Sequence, residues 1–198
     1  DLVLGKFFAS TALVGVALSL TLPLPFMVST LGMLDWGPVI GGYVAAALLA
    51  SAYMAIGLCV SARTDNQIVA LMVTSAICSV LYALGSDTMA GFFGNTGAEI
   101  LRSLGTGSRF ASIERGVLDV RDLFYYGSLT AFFLLLNGYF LERRRLDILA
   151  KPGQEKASAL IMIVGLAAAN VVVGNLWLAP VTGLRADLTK GGEYSISP

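Results

Sequence analysis

The sequence predicts an all-α polytopic integral membrane protein, with about five transmembrane helices and one external amphipathic helix. Three observations lead there. Of the 198 residues, 56% are hydrophobic, and the mean hydropathy is +0.77. Only 13% are charged, about half of the roughly 25% usual in soluble domains. The charges, 13 basic and 13 acidic with no His, are bunched, and long uncharged stretches lie between the bunches. This composition excludes an ordinary soluble globular domain.

Phe7 to Leu34, Trp36 to Ala62, Asn66 to Ser86, Leu123 to Leu141 and Ala157 to Leu184 carry no charge, and each is 19 to 28 residues long. About 20 helical residues cross a hydrocarbon core of roughly 30 Å. An unpaired charge at its centre costs on the order of 3 kcal/mol or more. Each run is therefore expected to span. Segments such as Val44-Ala-Ala-Ala-Leu-Leu-Ala50 are continuously apolar, whereas barrel strands alternate apolar and polar, so a β-barrel is excluded. The first run exceeds the h-region of a signal peptide, usually about 7 to 15 residues. Asp1 is not an initiator Met, and the chain reads as a fragment or processed product.

In the first span, Pro23 and Pro25 remove two backbone donors. The helix is expected to kink there, or to end and continue at the interface. Such a break either lines a cavity, as in transport proteins, or marks a helix end near Trp36. The second span opens at Pro38 and Gly41-Gly42 and is rich in Ala and Gly. Small residues admit close backbone approach, which predicts a place in the bundle interior. The turn around Arg63 is short, with Thr64 or Asp65 placed to cap the third helix. Beyond the third span, Phe110, Ile113, Val117, Val120 and Phe124 follow helical spacing. They predict an amphipathic helix over about 108–122 on the outer membrane surface or re-entering it, leading into the fourth span.

Arg143, Arg144 and Arg145 sit flush against the fourth span as topology anchors. A cytoplasmic linker over 147–156, containing Pro152-Gly153, separates a unit over 1–146 from the fifth span over 157–180. Residues 181–198 read as the start of an external domain. Seven Lys or Arg lie in short connections on the side of Lys6, Arg63 and the arginine triplet. The positive-inside rule makes that side cytoplasmic and places the C-terminus outside.

The missing chemistry narrows the function. The sequence has no GxxxxGK[ST], no GxGxxG, no His, and no acid or base inside any uncharged run. A nucleotide site, a proton relay and a Ser-His pair all lack their residues. Cys59 and Cys78 have no CxxC spacing, and read as small buried apolar residues rather than metal ligands. No catalytic, cofactor or metal residue is expected, and the balanced charge gives no nucleic-acid footprint. Energy for transport must come from elsewhere.

Several motifs then carry a resemblance. Asp1-Leu-Val-Leu-Gly-Lys-Phe-Phe8, Leu20-Thr-Leu-Pro-Leu-Pro25, Gly32-Met-Leu-Asp-Trp-Gly37, Ala55-Ile-Gly-Leu58, Asn66-Gln-Ile-Val-Ala70 and Arg115-Gly-Val-Leu-Asp-Val-Arg-Asp-Leu-Phe-Tyr-Tyr126 occur in this order. Together they resemble the gliding-motility type of ABC-transporter permease in the type-2 exporter class, along most of 1–146. The stretch Leu184 to Pro198 is similar to the first strand of that system's auxiliary external domain. The resemblance implies a permease in the bacterial inner membrane, working as two copies with a separate ATP-binding subunit that carries ATP and Mg. It also implies that two further spans and most of a coupling segment precede residue 1. Gly5, Lys6 and Arg63 are then expected to touch the ATP-binding subunit, and Pro23 and Pro25 to line or hinge the pathway. Two other readings stay open. One is an envelope subunit that transmits force without moving a substrate, and the other is a membrane anchor.

Overall fold

The computed structural model describes residues 2–86, Met89, 101–149, 165–166, 168–169, 172–175 and 185–189; within these, the side chains of Arg143, 145–149 and Arg185 are not described. Of the described residues, 84% are helical. In chain order the elements are α1 (Leu2–Thr21), α2 (Pro23–Leu31), α3 (Trp36–Ser61), α4 (Gln67–Leu84), α5 (Thr106–Glu114), β1 (Val117–Asp119), α6 (Val120–Leu149) and β2 (Arg185–Asp187). Four helical stretches are long and apolar enough to cross a membrane: Leu2–Leu31, Trp36–Ser61, Gln67–Leu84 and Val120–Glu142. This is the architecture of a helical membrane protein. Residues 165–166, 168–169 and 172–175 of the fifth uncharged run are helical, and the rest of that run lies outside the described residues.

The first span breaks where the prolines require it. Pro23 cannot donate to the Ser19 carbonyl, which instead accepts from the Leu22 amide at 3.2 Å. α1 stops at Thr21 and α2 starts on Pro23. Asp35 caps α3 by accepting from the Gly37 amide at 2.9 Å. The cap of α4 is Asn66, whose side chain accepts from the Ile68 amide at 2.9 Å. This corrects the expectation of Thr64 or Asp65. Asn66 holds the extended backbone a cap needs, and Asp65 pairs elsewhere.

α3 is the hub and touches α1, α4, α5 and α6. Ala45, Ala52, Ala55 and Ile56 are wholly buried along it. Ala45 and Ala52 form a core with Ile113 of α5 and Tyr125 and Tyr126 of α6. The small side chains let larger partners reach the axis of α3, as expected of an interior helix.

The helix expected over about 108–122 is shorter, covering Thr106–Glu114. Gly116 stops it with φ +86, a conformation that L side chains rarely adopt. The apolar period is therefore shared among three elements: Phe110 and Ile113 lie in α5, Val117 in β1, and Val120 and Phe124 in α6. The turn also brings Gly116 against α3, because a Cβ on Gly41 would lie 2.9 Å from the Gly116 Cα. The segment beyond Gly116 departs from an all-helical reading by pairing β1 antiparallel with β2. Val117 faces Asp187, Leu118 faces Ala186 and Asp119 faces Arg185. The Leu188 amide adds a bond to the Gly116 carbonyl at 2.9 Å. At the other end, α6 continues as helix to Leu149, past the expected boundary at 146. The remainder of the linker lies outside the described residues.

Candidate functional site

The sequence places candidate residues at both ends of the bundle, and the two ends are built differently. Toward the end formed by β1 and the start of α6, α5 runs along α3 from Tyr53 to Gly41 and forms a polar clamp with it. Thr106 is wholly buried, and its hydroxyl pairs with the Tyr53 hydroxyl of α3 at 2.9 Å. Tyr53 in turn donates to the Cys78 carbonyl of α4 at 3.1 Å. Tyr126 donates to the Thr106 carbonyl at 2.8 Å, and Tyr125 to the Leu104 carbonyl at 2.5 Å. Three membrane-length helices and α5 are thus joined through four side chains. In hydrocarbon such groups must be satisfied internally, so the set orders the elements that carry it.

An ion pair lies beside these hydroxyls. Arg109 Nη1 donates to Asp122 Oδ1 at 2.9 Å, with both side chains largely buried. The same guanidinium stacks 4.4 Å over the Tyr125 ring and donates to the Ser103 carbonyl at 3.2 Å. Its planar fork suits this combination of charge, carbonyl and ring. Arg121 closes the corner by donating to Asp119, from its amide at 3.0 Å and from Nε at 2.8 Å. Asp119 itself is buried.

The opposite end carries Arg63. It is exposed and lies 4.7 Å over the Phe140 ring of α6. Two residues on, Asp65 Oδ1 accepts from Arg144 Nη2 at 3.0 Å. Both partners of that pair are substantially exposed, so it contributes about 0–1 kcal/mol. The connection from α3 to α4 is therefore held to the far end of α6 by contacts that can be exchanged cheaply.

The other sequence candidates are distributed as follows. Gly5 and Lys6 lie exposed near the start of α1, and a Cβ on Gly5 would meet nothing within 4 Å. Pro23 is exposed and Pro25 half-buried, on the two sides of the first turn of α2. Arg143 and Arg145 lie in α6 with side chains outside the described residues. The structure brings Arg63, Asp65, Phe140 and Arg144 to one end, and leaves Gly5 and Lys6 apart on α1. The clamp of Tyr53, Thr106, Arg109, Asp122, Tyr125 and Tyr126 is missed by sequence reasoning. Its one visible signal is Asp122, an acid at the mouth of an apolar run. Cys59 and Cys78 are free and buried. Among the described residues, no group of three or more His, Cys, Asp or Glu side chains is placed to hold a metal ion.

No known protein family, curated protein or solved structure matches the chain. Its composition and four membrane-length helices identify it as a helical membrane protein.

Proposed function

We propose that the chain is part of the membrane-spanning permease of an ATP-driven ABC transporter, an exporter, that couples to a separate ATP-binding subunit. The observation that carries this reading is the unequal packing of α1. The helix is as apolar as α3, yet only Phe7 along its length is buried, and it breaks at Leu22-Pro23. It rests on α3 and α6 without being locked between them. A helix held this way is suited to move as a rigid element when its end is pushed.

In this mechanism the side carrying Lys6, Arg63 and the arginine triplet is cytoplasmic, and the strand pair is external. The ATP-binding subunit holds ATP and Mg and presses on Gly5, Lys6 and the Arg63 turn. α1 then tilts about the Pro23–Pro25 break, while the clamped unit of α3, α4, α5 and α6 stays rigid. ATP binding favours one arrangement of α1 by its differential contacts. The chain supplies a path and a moving part, and hydrolysis takes place on the partner. A second permease copy completes the assembly, and five membrane-crossing helices with the external helix α5 make up this chain's share.

The strand pair favours a second reading. β2 ties the segment after the fifth uncharged run to the end of the bundle, a connection suited to passing force to an external domain without translocation.

The test is to isolate the tagged full-length protein from its native membrane in mild detergent, with and without ATP, and to identify co-purifying proteins by mass spectrometry. The expected result is a near-stoichiometric subunit bearing GxxxxGK[ST], with recovery reduced about tenfold by the double change Lys6→Glu, Arg63→Glu, the effect of roughly 1.4 kcal/mol of binding. If repeated isolations at low salt recover no such subunit, and the rest of the sequence holds no phosphate loop, the ABC reading fails and a membrane anchor replaces it.

A further inference from the structure

Between the end of α1 and the start of α3 lies a groove of about 730 Å³, within the range of about 300–1,000 Å³ common for small-molecule sites. Its walls are apolar: Leu18 from α1, and Val39, Tyr43 and Ala46 from α3. Its rim carries Asp35, Glu114 and Arg115. It sits where the first span breaks and where Trp36 opens α3, the level at which a bilayer changes from hydrocarbon to headgroups.

Gly42 keeps this space open. Its neighbour Gly41 is required, because a Cβ there would run into the backbone of α5 and Gly116. A Cβ on Gly42 would meet nothing within 4 Å. Among the described residues no contact requires glycine at this position, and Gly42 lines the groove. Its missing side chain is groove volume.

We propose that the groove holds one phospholipid with an ammonium headgroup, its acyl chain along the apolar walls. The charge pattern selects this occupant. Glu114 and Arg115 are adjacent, exposed and in no ion pair among the described residues. They offer a carboxylate to the ammonium and a guanidinium to the phosphate, as a zwitterionic headgroup requires. The C-terminal end of α5, at Glu114, favours a cation further. A purely anionic headgroup would offer no ammonium to the Glu114 carboxylate beside Arg115. The proposal depends on the chain lying in a membrane and is independent of the ABC reading.

The experiment uses the full-length protein in nanodiscs of phosphatidylethanolamine and phosphatidylglycerol in equal parts, with a trace of either lipid bearing a photoreactive acyl chain. Photoreactive phosphatidylethanolamine is expected to label peptides of α3 and the end of α1, and photoreactive phosphatidylglycerol to label them several-fold less. Gly42→Leu is expected to cut labelling about tenfold, while Gly15→Leu, at another open position on α1, leaves it unchanged. Ala46→Phe fills the same groove and replaces Gly42→Leu if that variant elutes as aggregate. Equal labelling in the groove-filling variant and in Gly15→Leu, or equal labelling by the two lipids, would overturn the proposal.

Discussion

α1 and α3 are equally apolar and both long enough to cross a membrane, yet one lies on the bundle and the other runs through it. The difference lies in which residues face neighbouring helices rather than in hydropathy. α3 presents Gly41, Ala45, Ala52 and Ala55, all buried, so α5 and α6 approach its backbone. α1 presents Leu4, Phe8, Leu13, Val16 and Leu20, all exposed. Buried polar groups without partners occur on both sides, including the Arg109 Nε of the clamp. The Thr11 hydroxyl, and the Asn137 carbonyl on α6, are buried without a hydrogen-bond partner among the described residues. In hydrocarbon such groups are costly to leave unpaired. Apolar length therefore marks a helix able to cross a bilayer, and small residues on its contact face let neighbouring helices approach its backbone.

The largest effect is expected in the clamp that fixes the α3 side. Asp122→Ala leaves the Arg109 guanidinium buried without its carboxylate and should cost about 3–5 kcal/mol, read as lost resistance to unfolding in detergent. Arg109→Met with Asp122→Leu should recover most of that loss, and a double variant as unstable as the single one would show that the pair is not the cause. Next comes the glycine contrast. Gly41→Ala should destabilise by about 1–3 kcal/mol through overpacking, while Gly15→Ala on α1 stays within about 0.5 kcal/mol of wild type. Equal effects at the two positions would break the distinction between the helices. Tyr126→Phe removes the donor to the Thr106 carbonyl, and about 1–3 kcal/mol is expected for that buried acceptor. The smallest effect belongs to the exposed end, where Arg144→Ala should change stability by less than about 1 kcal/mol and respond to salt.

How much of this was legible in the sequence depended on whether the cause was local. Spans, the break at Pro23 and the interior place of α3 follow from composition, missing donors and small residues, all properties of neighbouring positions. Asn175 acts between helices, as polar residues within spans usually do, donating to Ser128 at 3.0 Å. The clamp was not legible, because Tyr53, Thr106 and Tyr126 meet across long sequence separations, and hydroxyls in apolar runs look alike until packing selects partners. The helix expected to reach 122 failed at one residue. Gly116 turns the chain, and of the expected apolar positions beyond it Val117 is buried in β1 while Val120 and Phe124 are exposed on α6. Asp65 looked like a cap, and the structure gives that role to Asn66, which holds the extended backbone and accepts from the Ile68 amide.

In the proposed mechanism α1 moves against a rigid unit when an ATP-binding partner acts on the chain. The most direct measurement is pulsed electron-spin distance spectroscopy on the complex isolated from its native membrane, with labels at exposed Leu13 of α1 and Leu135 of α6, and a control pair at Leu135 and Leu71 of α4. ATP with a hydrolysis-blocking transition-state analogue is expected to shift the Leu13–Leu135 distance and leave the Leu135–Leu71 distance unchanged. Two unchanged distances, or two that shift together, would contradict it.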